Sequence, residues 1–294
     1  MPQIKANGIN LEYDTFGSEG DKPLLLVMGL GAQMIHWDKD FCQQLADQGH
    51  FVIRYDNRDI GLSEKMDEHS IPDMLQLMAD FLEGKQPEVP YTLDDMAADG
   101  MALTEALGFD SIHICGASMG GMIVQAMAIN HPERVKSMVS IMSSTGNPDL
   151  PSATEEAQQA LVSPAAQSKS AAVQRAIDMN QVIGSPGFEF DVERATVKAI
   201  EAFERSFYPA GIARQMAAIA AHGDRRQKLN ALNIPTLVIH GTDDALVPVQ
   251  AGLDTHENIP GAELMLIEGM GHDLPIGAWR RITEGINQLT TRTE

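Results

Sequence analysis

The stretch Gly116-Ala117-Ser118-Met119-Gly120 sets a serine between glycines two positions before and two after it. This G-x-S-x-G spacing lets a strand turn sharply into a helix and leaves the hydroxyl exposed above a sheet. A serine hydroxyl is a poor nucleophile at neutral pH, so it needs an adjacent base, itself oriented by a carboxylate. The base candidate is His272 in the glycine-rich segment Glu268-Gly269-Met270-Gly271-His272. Between serine and histidine lies Gly241-Thr242-Asp243-Asp244-Ala245-Leu246-Val247-Pro248, where by position either Asp243 or Asp244 suits the acid and the other a turn or cap. Asp149 is a distant third. The chain order is therefore nucleophile, acid, base, one of the orders in which such a triad occurs.

Attack on an acyl carbon develops an oxyanion that needs preorganised N–H donors. One usually comes from the residue after the nucleophile, here Met119, and the second is expected from Leu30 in Gly29-Leu30-Gly31. Met28, Met34, Met122 and Met270 lie near these motifs, and Met74 and Met78 recur at helical spacing in Ile71 to Gly84. With Gly29 they are the residues expected to line an adaptable apolar pocket, although the Ile71 to Gly84 pattern equally suits a core-facing helix. The acidic run Asp94, Asp95, Asp99 reads as a solvated helix face. No dinucleotide fingerprint, phosphate-binding loop or zinc-protease helix occurs, so neither metal nor cofactor is expected.

Six apolar runs must present these residues: Leu24 to Met28, Phe51 to Tyr55, Ile112 to Cys115, Val135 to Met142, Thr236 to His240 and Leu264 to Ile267. Each is short and bounded by turn residues, the pattern of parallel strands buried on both faces. Ile9 to Thr15 alternates and should add an antiparallel edge. Helices are predicted at Trp37 to Gln48, at Leu93 to Leu107 with Thr92 as N-cap, and at Met119 to Asn130. The alternation is that of an α/β fold with a mostly parallel central sheet flanked by helices. It lapses between Asp149 and Lys228, where helical spacing takes over. The expected organisation is a core of residues 1–148 and 229–294 with a helical cap, or lid, at 149–228.

The 294 residues carry 41 acidic and 21 basic side chains, a net charge of -20, which repels phosphate backbones and anionic membranes. Neither is an expected partner. Two cysteines, Cys42 and Cys115, form no metal-ligand or disulfide pattern. The start of the chain lacks the apolar core of a secretory signal, and no apolar run reaches membrane-spanning length. The expectation is a cytoplasmic protein.

With those residues in place the chain resembles the α/β-hydrolase superfamily along nearly its whole length. Arg54-Tyr55-Asp56-Asn57-Arg58-Asp59-Ile60-Gly61-Leu62-Ser63 is similar to the family's R-x-D-x-R-G-x-G-x-S loop, with Asp59 replacing the usual glycine, and His131-Pro132-Glu133-Arg134-Val135 to its H-P-E-R-V junction. The family's G-x-x-D-x-x-[VI]-P pattern aligns its acid with Asp244. Together with Gly269-Met270-Gly271-His272-Asp273-Leu274-Pro275, these motifs most resemble aclacinomycin methylesterase-like carboxylesterases. The resemblance implies a serine esterase acting on a small-molecule ester of small to medium apolar groups. The same scaffold also carries meta-cleavage carbon-carbon hydrolases, cofactor-free perhydrolases and small-ligand receptors, so these remain alternatives.

Overall fold

Apolar runs that are too short to be helices must satisfy their backbone polar groups by pairing with each other, which forces a sheet. In the computed structural model the chain forms one eight-stranded sheet; the structure describes residues 2–73, 76, 85, 88–163 and 166–293. The strands are β1 (Gln3–Ala6), β2 (Ile9–Phe16), β3 (Lys22–Val27), β4 (His50–Tyr55), β5 (Ile112–Ala117), β6 (Val135–Ile141), β7 (Thr236–Gly241) and β8 (Glu263–Ile267). Their order across the sheet is β1-β2-β4-β3-β5-β6-β7-β8. The β1–β2 and β2–β4 pairs are antiparallel. The remaining pairs are parallel. β4, β5 and β7 are buried along their whole length, as strands covered on both faces must be.

β2 is therefore not the edge that its alternation predicted. β1 lies outside it, joined through Asn7-Gly8 with φ of 49° and 84°. Positive φ at both turn residues belongs to the type I′ hairpin, for which Asn-Gly is the strongest short-range signal. That dipeptide was the available clue to a strand too short and polar to stand out.

The helices are α1 (Lys39–Ala46), α2 (Leu93–Ala106), α3 (Met119–Asn130), α4 (Glu155–Leu161), α5 (Lys169–Ile183), α6 (Val192–Arg205), α7 (Pro209–His222), α8 (Arg226–Leu229), α9 (Val249–Glu257) and α10 (Ile276–Thr291). α1 starts later than predicted because the Asp38 side chain accepts the Asp40 N–H at 2.9 Å and caps it. Trp37 precedes the cap and packs against Phe41, ring centroids 5.5 Å apart. Thr92 and Asp95 form a reciprocal capping box at the start of α2. Asp99, expected on a solvated face, is buried instead. Its carboxylate takes Arg58 at 2.5 and 2.6 Å and Asn7 at 2.8 Å, because α2 packs this turn against β1 and the loop after β4.

One apolar cluster on the sheet gathers α2 and α3 side chains such as Met96, Ile123 and Met127. The other gathers Phe41 and Leu45 from α1 with Trp279 and Ile282 from α10. Between β6 and β7 the chain makes only helices, α4 to α8, among the described residues. Met74 and Met78 lie outside the described residues. Among the described residues no helix is long and apolar enough to cross a membrane.

Candidate active site

Ser118 follows β5 at φ 56° and ψ -121°, a conformation costly for a residue with a Cβ. Four hydrogen bonds hold it: Ser118 N–H donates to the Ile141 carbonyl (2.9 Å), and the Ser118 carbonyl accepts the Gly121 N–H (2.9 Å), the Met122 N–H (3.3 Å) and the Ser143 hydroxyl (2.8 Å). The flanking glycines are required by close approach. A Cβ on Gly116 would lie 2.0 Å from the Gly120 oxygen, and one on Gly120 would lie 2.1 Å from the Val27 oxygen. The elbow thus locks β5, α3 and β3 together while the serine side chain projects beyond the sheet.

β7 and β8 pair with Gly241 opposite Ile267, so the loops beyond them run side by side at the carboxyl edge. That edge brings Asp244, His272 and Ser118 into one line. Asp244 Oδ2 lies 2.7 Å from His272 Nδ1, and His272 Nε2 lies 2.9 Å from Ser118 Oγ. An ionised carboxylate only accepts, so Nδ1 carries the proton and Nε2 offers its lone pair to the serine hydroxyl. Asp244 Oδ1 meanwhile accepts the Leu246 and Val247 amides at 2.9 and 2.8 Å. Burial opposes ionisation of this carboxyl. The His240 and His272 rings and the Val247 amide outweigh it, holding the pKa down at about 2.

The two adjacent aspartates have separate positions. Asp243 is exposed and accepts the Gly269 N–H at 3.1 Å and the Thr242 hydroxyl at 2.6 Å, bracing the loop that carries His272. Asp149 is at the surface, 3.9 Å from Arg226, and among the described residues it makes no hydrogen bond or ion pair with His272.

β3 and β5 are neighbours with Val27 opposite Gly116, which sets Gly29 and Leu30 beside Ser118 and Met119. A Cβ on Gly29 would stand 3.1 Å from the Ser118 Cβ. Met119 opens α3, where the first amides have no intrahelical acceptor. Among the described residues no hydrogen bond takes up the Leu30 amide. The loop is held from outside: Asn57 Nδ2 donates to the Met28 carbonyl at 2.9 Å, and Gln215 Oε1 accepts the Gly31 N–H at 3.0 Å. Two amides beside a hydrogen-bonded serine, histidine and aspartate are the parts that acyl transfer requires.

A family model described as alpha/beta hydrolase fold matches residues 22–184, more than half of the chain. The chain belongs to the α/β-hydrolase fold family. This hydrolase is 27% identical over 305 residues to rhodomycin D methylesterase of Streptomyces peucetius, covering 96% of this chain and 95% of that one. It is 29% identical over 273 residues to 3-oxoadipate enol-lactonase 2 of Acinetobacter baylyi, covering 90% and 87%. The solved meta-cleavage product hydrolase of Pseudomonas fluorescens shares its fold, with a TM-score of 0.78 at 20% identity, covering 100% of this chain and 98% of the other.

Of the methionines expected around the site, Met28 and Met270 pack into the apolar cluster with Trp37 and Trp279. Met34 is fully buried, its N–H donating to Asp56 Oδ1 at 2.7 Å, and Met122 is half-buried against the α2–α3 side. Four residues escaped sequence reasoning in this hydrolase: His240, Arg214, Gln215 and Ser185. His240 Nε2 donates to the Val247 carbonyl at 2.8 Å and stands 3.6 Å from Asp244 Oδ2. Arg214, fully buried on α7, grips Asp59 at 2.6 and 3.1 Å. Asp59 holds φ 71° where the family's usual glycine would sit without strain. Its departure from the motif was the one visible signal for Arg214; a lone glutamine and a lone serine give none.

Proposed function

We propose that this hydrolase cleaves carboxylic esters through an acyl-enzyme on Ser118, with His272 as base and Asp244 as orienting acid. The observation that carries this reading is the unbroken relay from Asp244 through His272 to Ser118, at 2.7 and 2.9 Å. Ser118 Oγ attacks the ester carbonyl as His272 Nε2 takes its proton. The Leu30 and Met119 amides receive the oxyanion. Collapse expels the alcohol, which leaves with the proton from His272. Water, deprotonated by the same imidazole, then hydrolyses the acyl group and restores the serine.

Residues 149–228 are assigned as the cap over a core of 1–148 and 229–294. The substrate is assigned as a small-molecule ester with small to medium apolar groups. The methylesterase and enol-lactonase names of the curated relatives, each covering most of both chains, support an oxygen-ester substrate over carbon-carbon cleavage.

The purified protein is expected to hydrolyse short p-nitrophenyl esters with a burst, and Ser118→Ala is expected to abolish turnover and fluorophosphonate labelling while leaving the fold intact. Turnover of a ring-fission dienoate without ester hydrolysis would instead establish carbon-carbon cleavage. Neither turnover nor labelling would remove the enzyme assignment.

A further inference from the structure

The His272 ring is oriented by Asp244, but its backbone hangs from a glycine-rich loop that needs its own support. On the sheet side, Gly269 N–H donates to Asp243 and Thr242, both at 3.1 Å, and the Met270 carbonyl accepts the Asp243 N–H at 3.0 Å. These contacts hold residues 269 and 270 only. Residues 271, 272 and 273 are bonded to the chain leaving α5. His272 N–H donates to the Ile183 carbonyl at 2.6 Å, and Gly271 N–H donates to Ser185 Oγ at 2.9 Å. The Ser185 hydroxyl in turn donates to Asp273 Oδ1, and Asn180 Nδ2 reaches Asp273 Oδ2 at 3.4 Å. Gly187 N–H closes the set on the Gly269 carbonyl at 2.9 Å.

The two segments touch backbone to backbone. A Cβ on Gly187 would stand 2.7 Å from the Gly269 Cα, and one on Gly271 would stand 2.2 Å from the Gly184 oxygen. With no side chain between them, a shift of the α5 end passes to the histidine loop without being absorbed by rotamers. Ser185 is the one residue there whose side chain bonds both sides of His272, accepting from residue 271 and donating to residue 273.

We propose that Ser185 is a positioning residue for the base: from the helical insertion it holds Gly271 and Asp273, and so aims the His272 imidazole at Ser118. It touches neither substrate nor reacting atoms. This inference rests on the esterase reading above, with His272 as its base. Seating of the insertion and alignment of the relay are then one event, and the site is competent only while residues 183–187 lie against the loop. A misplacement of about 1 Å at a reacting group can cost on the order of 100-fold in rate.

The test compares wild type, Ser185→Ala, Ser185→Thr and Gln174→Ala, an exposed position elsewhere on α5, on a p-nitrophenyl ester. Ser185→Ala is expected to lower kcat about 10- to 100-fold with KM within about twofold, and to slow fluorophosphonate labelling in parallel. Ser185→Thr, which keeps the hydroxyl, recovers most of kcat, and Gln174→Ala behaves as wild type. A merely structural role would lower the melting temperature and the active fraction but leave kcat per labelled serine unchanged. That result, or a Ser185→Ala kcat within twofold of wild type, overturns the proposal. If Ser185→Ala does not fold, Asp273→Ala removes the same link from the other side, and the same kcat-selective loss supports the proposal while its absence overturns it. An inactive wild type counts against the esterase reading itself; an active wild type with an unaffected Ser185→Ala counts against Ser185 alone.

Discussion

Helices α3 and α6 are of similar length, 12 and 14 residues, yet different forces hold them. α3 is apolar nearly all round, and nine of its residues, from Met119 to Ala128, are buried against the sheet. Its place is set by the area it removes from water, a force without direction. α6 has no fully buried residue; its apolar side, with Ala195, Ile200 and Phe203, is only half-buried, and ion pairs add direction: Arg194 with Asp38 at 2.5 Å and with Asp40 at 2.8 Å, Lys198 with Asp38 at 3.2 Å, and Arg205 with Asp56 at 2.6 Å. α7, next along the chain, adds the Arg214–Asp59 pair. Burial specifies that the core collapses, whereas a few directional pairs specify where the insertion lands on it. Exposed pairs such as Arg194–Asp40 contribute little, and the buried ones matter most when one partner is removed.

The strongest way to break this contrast is Asp59→Gly, which installs the residue that the family's loop usually carries. It relieves roughly 1 kcal/mol of left-handed strain but strands a buried guanidinium, which costs about 3–5 kcal/mol. The pair outweighs the strain, so chemical denaturation should show a net loss of about 2–4 kcal/mol. Asp59→Gly with Arg214→Met should recover most of it, because no unpaired charge remains. Equal stability of Asp59→Gly and wild type would remove the pair as an anchor.

Acid sharpens the comparison next. Burial raises the Asp38 carboxyl, but Arg194, the Asp40 amide and Lys198 pull it below its ordinary value. A carboxylate depressed by folding contributes fully above its unfolded pKa of about 4 and loses that contribution as pH falls. The Asp244 contribution, roughly 2 kcal/mol, also declines once pH falls below about 4, but it is the larger and is not fully lost until pH drops below about 2. Hydrogen exchange between pH 5 and pH 3 should therefore release α6 amides while β5 and β7 stay protected. Simultaneous release of both would mean that the insertion is held by more than these pairs.

The smallest expected effect concerns the Gly29–Gly31 loop, proposed above as one side of the oxyanion hole. Gln215 is fully buried on α7, accepting the Gly31 N–H at 3.0 Å and donating to the Arg58 carbonyl at 3.0 Å. Gln215→Leu keeps the volume and leaves the Gly31 amide unpaired, so kcat should fall about tenfold, near 1.4 kcal/mol, with little change in KM. Steady-state kinetics check this, and a change confined to KM would place Gln215 in substrate binding instead.

Much of the core was legible because its signals are local. The runs around Leu24, Ile112 and Thr236 are strands by length and apolarity, and Gly116-Ala117-Ser118-Met119-Gly120 needs only its own residues and two flanking elements to make an elbow. Boundaries moved where a cap intervened, as at Asp38, and β1 was missed because four residues of mixed polarity carry little pattern. Asp99 misled because a charged residue on an exposed-looking helix face can be buried by a partner 41 positions away.

The sequence by itself determined the fold class and the Gly116–Gly120 elbow, and it placed the candidate aspartates and His272 after the elbow in chain order, since each is written in neighbouring residues and in periodicity. The family pattern already pointed to Asp244, and the tertiary structure supplies the contacts, Asp244 beneath His272 and Asp243 beside Gly269; it alone paired Asp59 with Arg214 and brought Gln215 and Ser185 to the two loops of the site. These partners lie 26 to 184 residues apart in the chain. Their meeting is decided by sheet register and by the path of the helical insertion, through directional contacts between single side chains that leave no periodic trace in sequence.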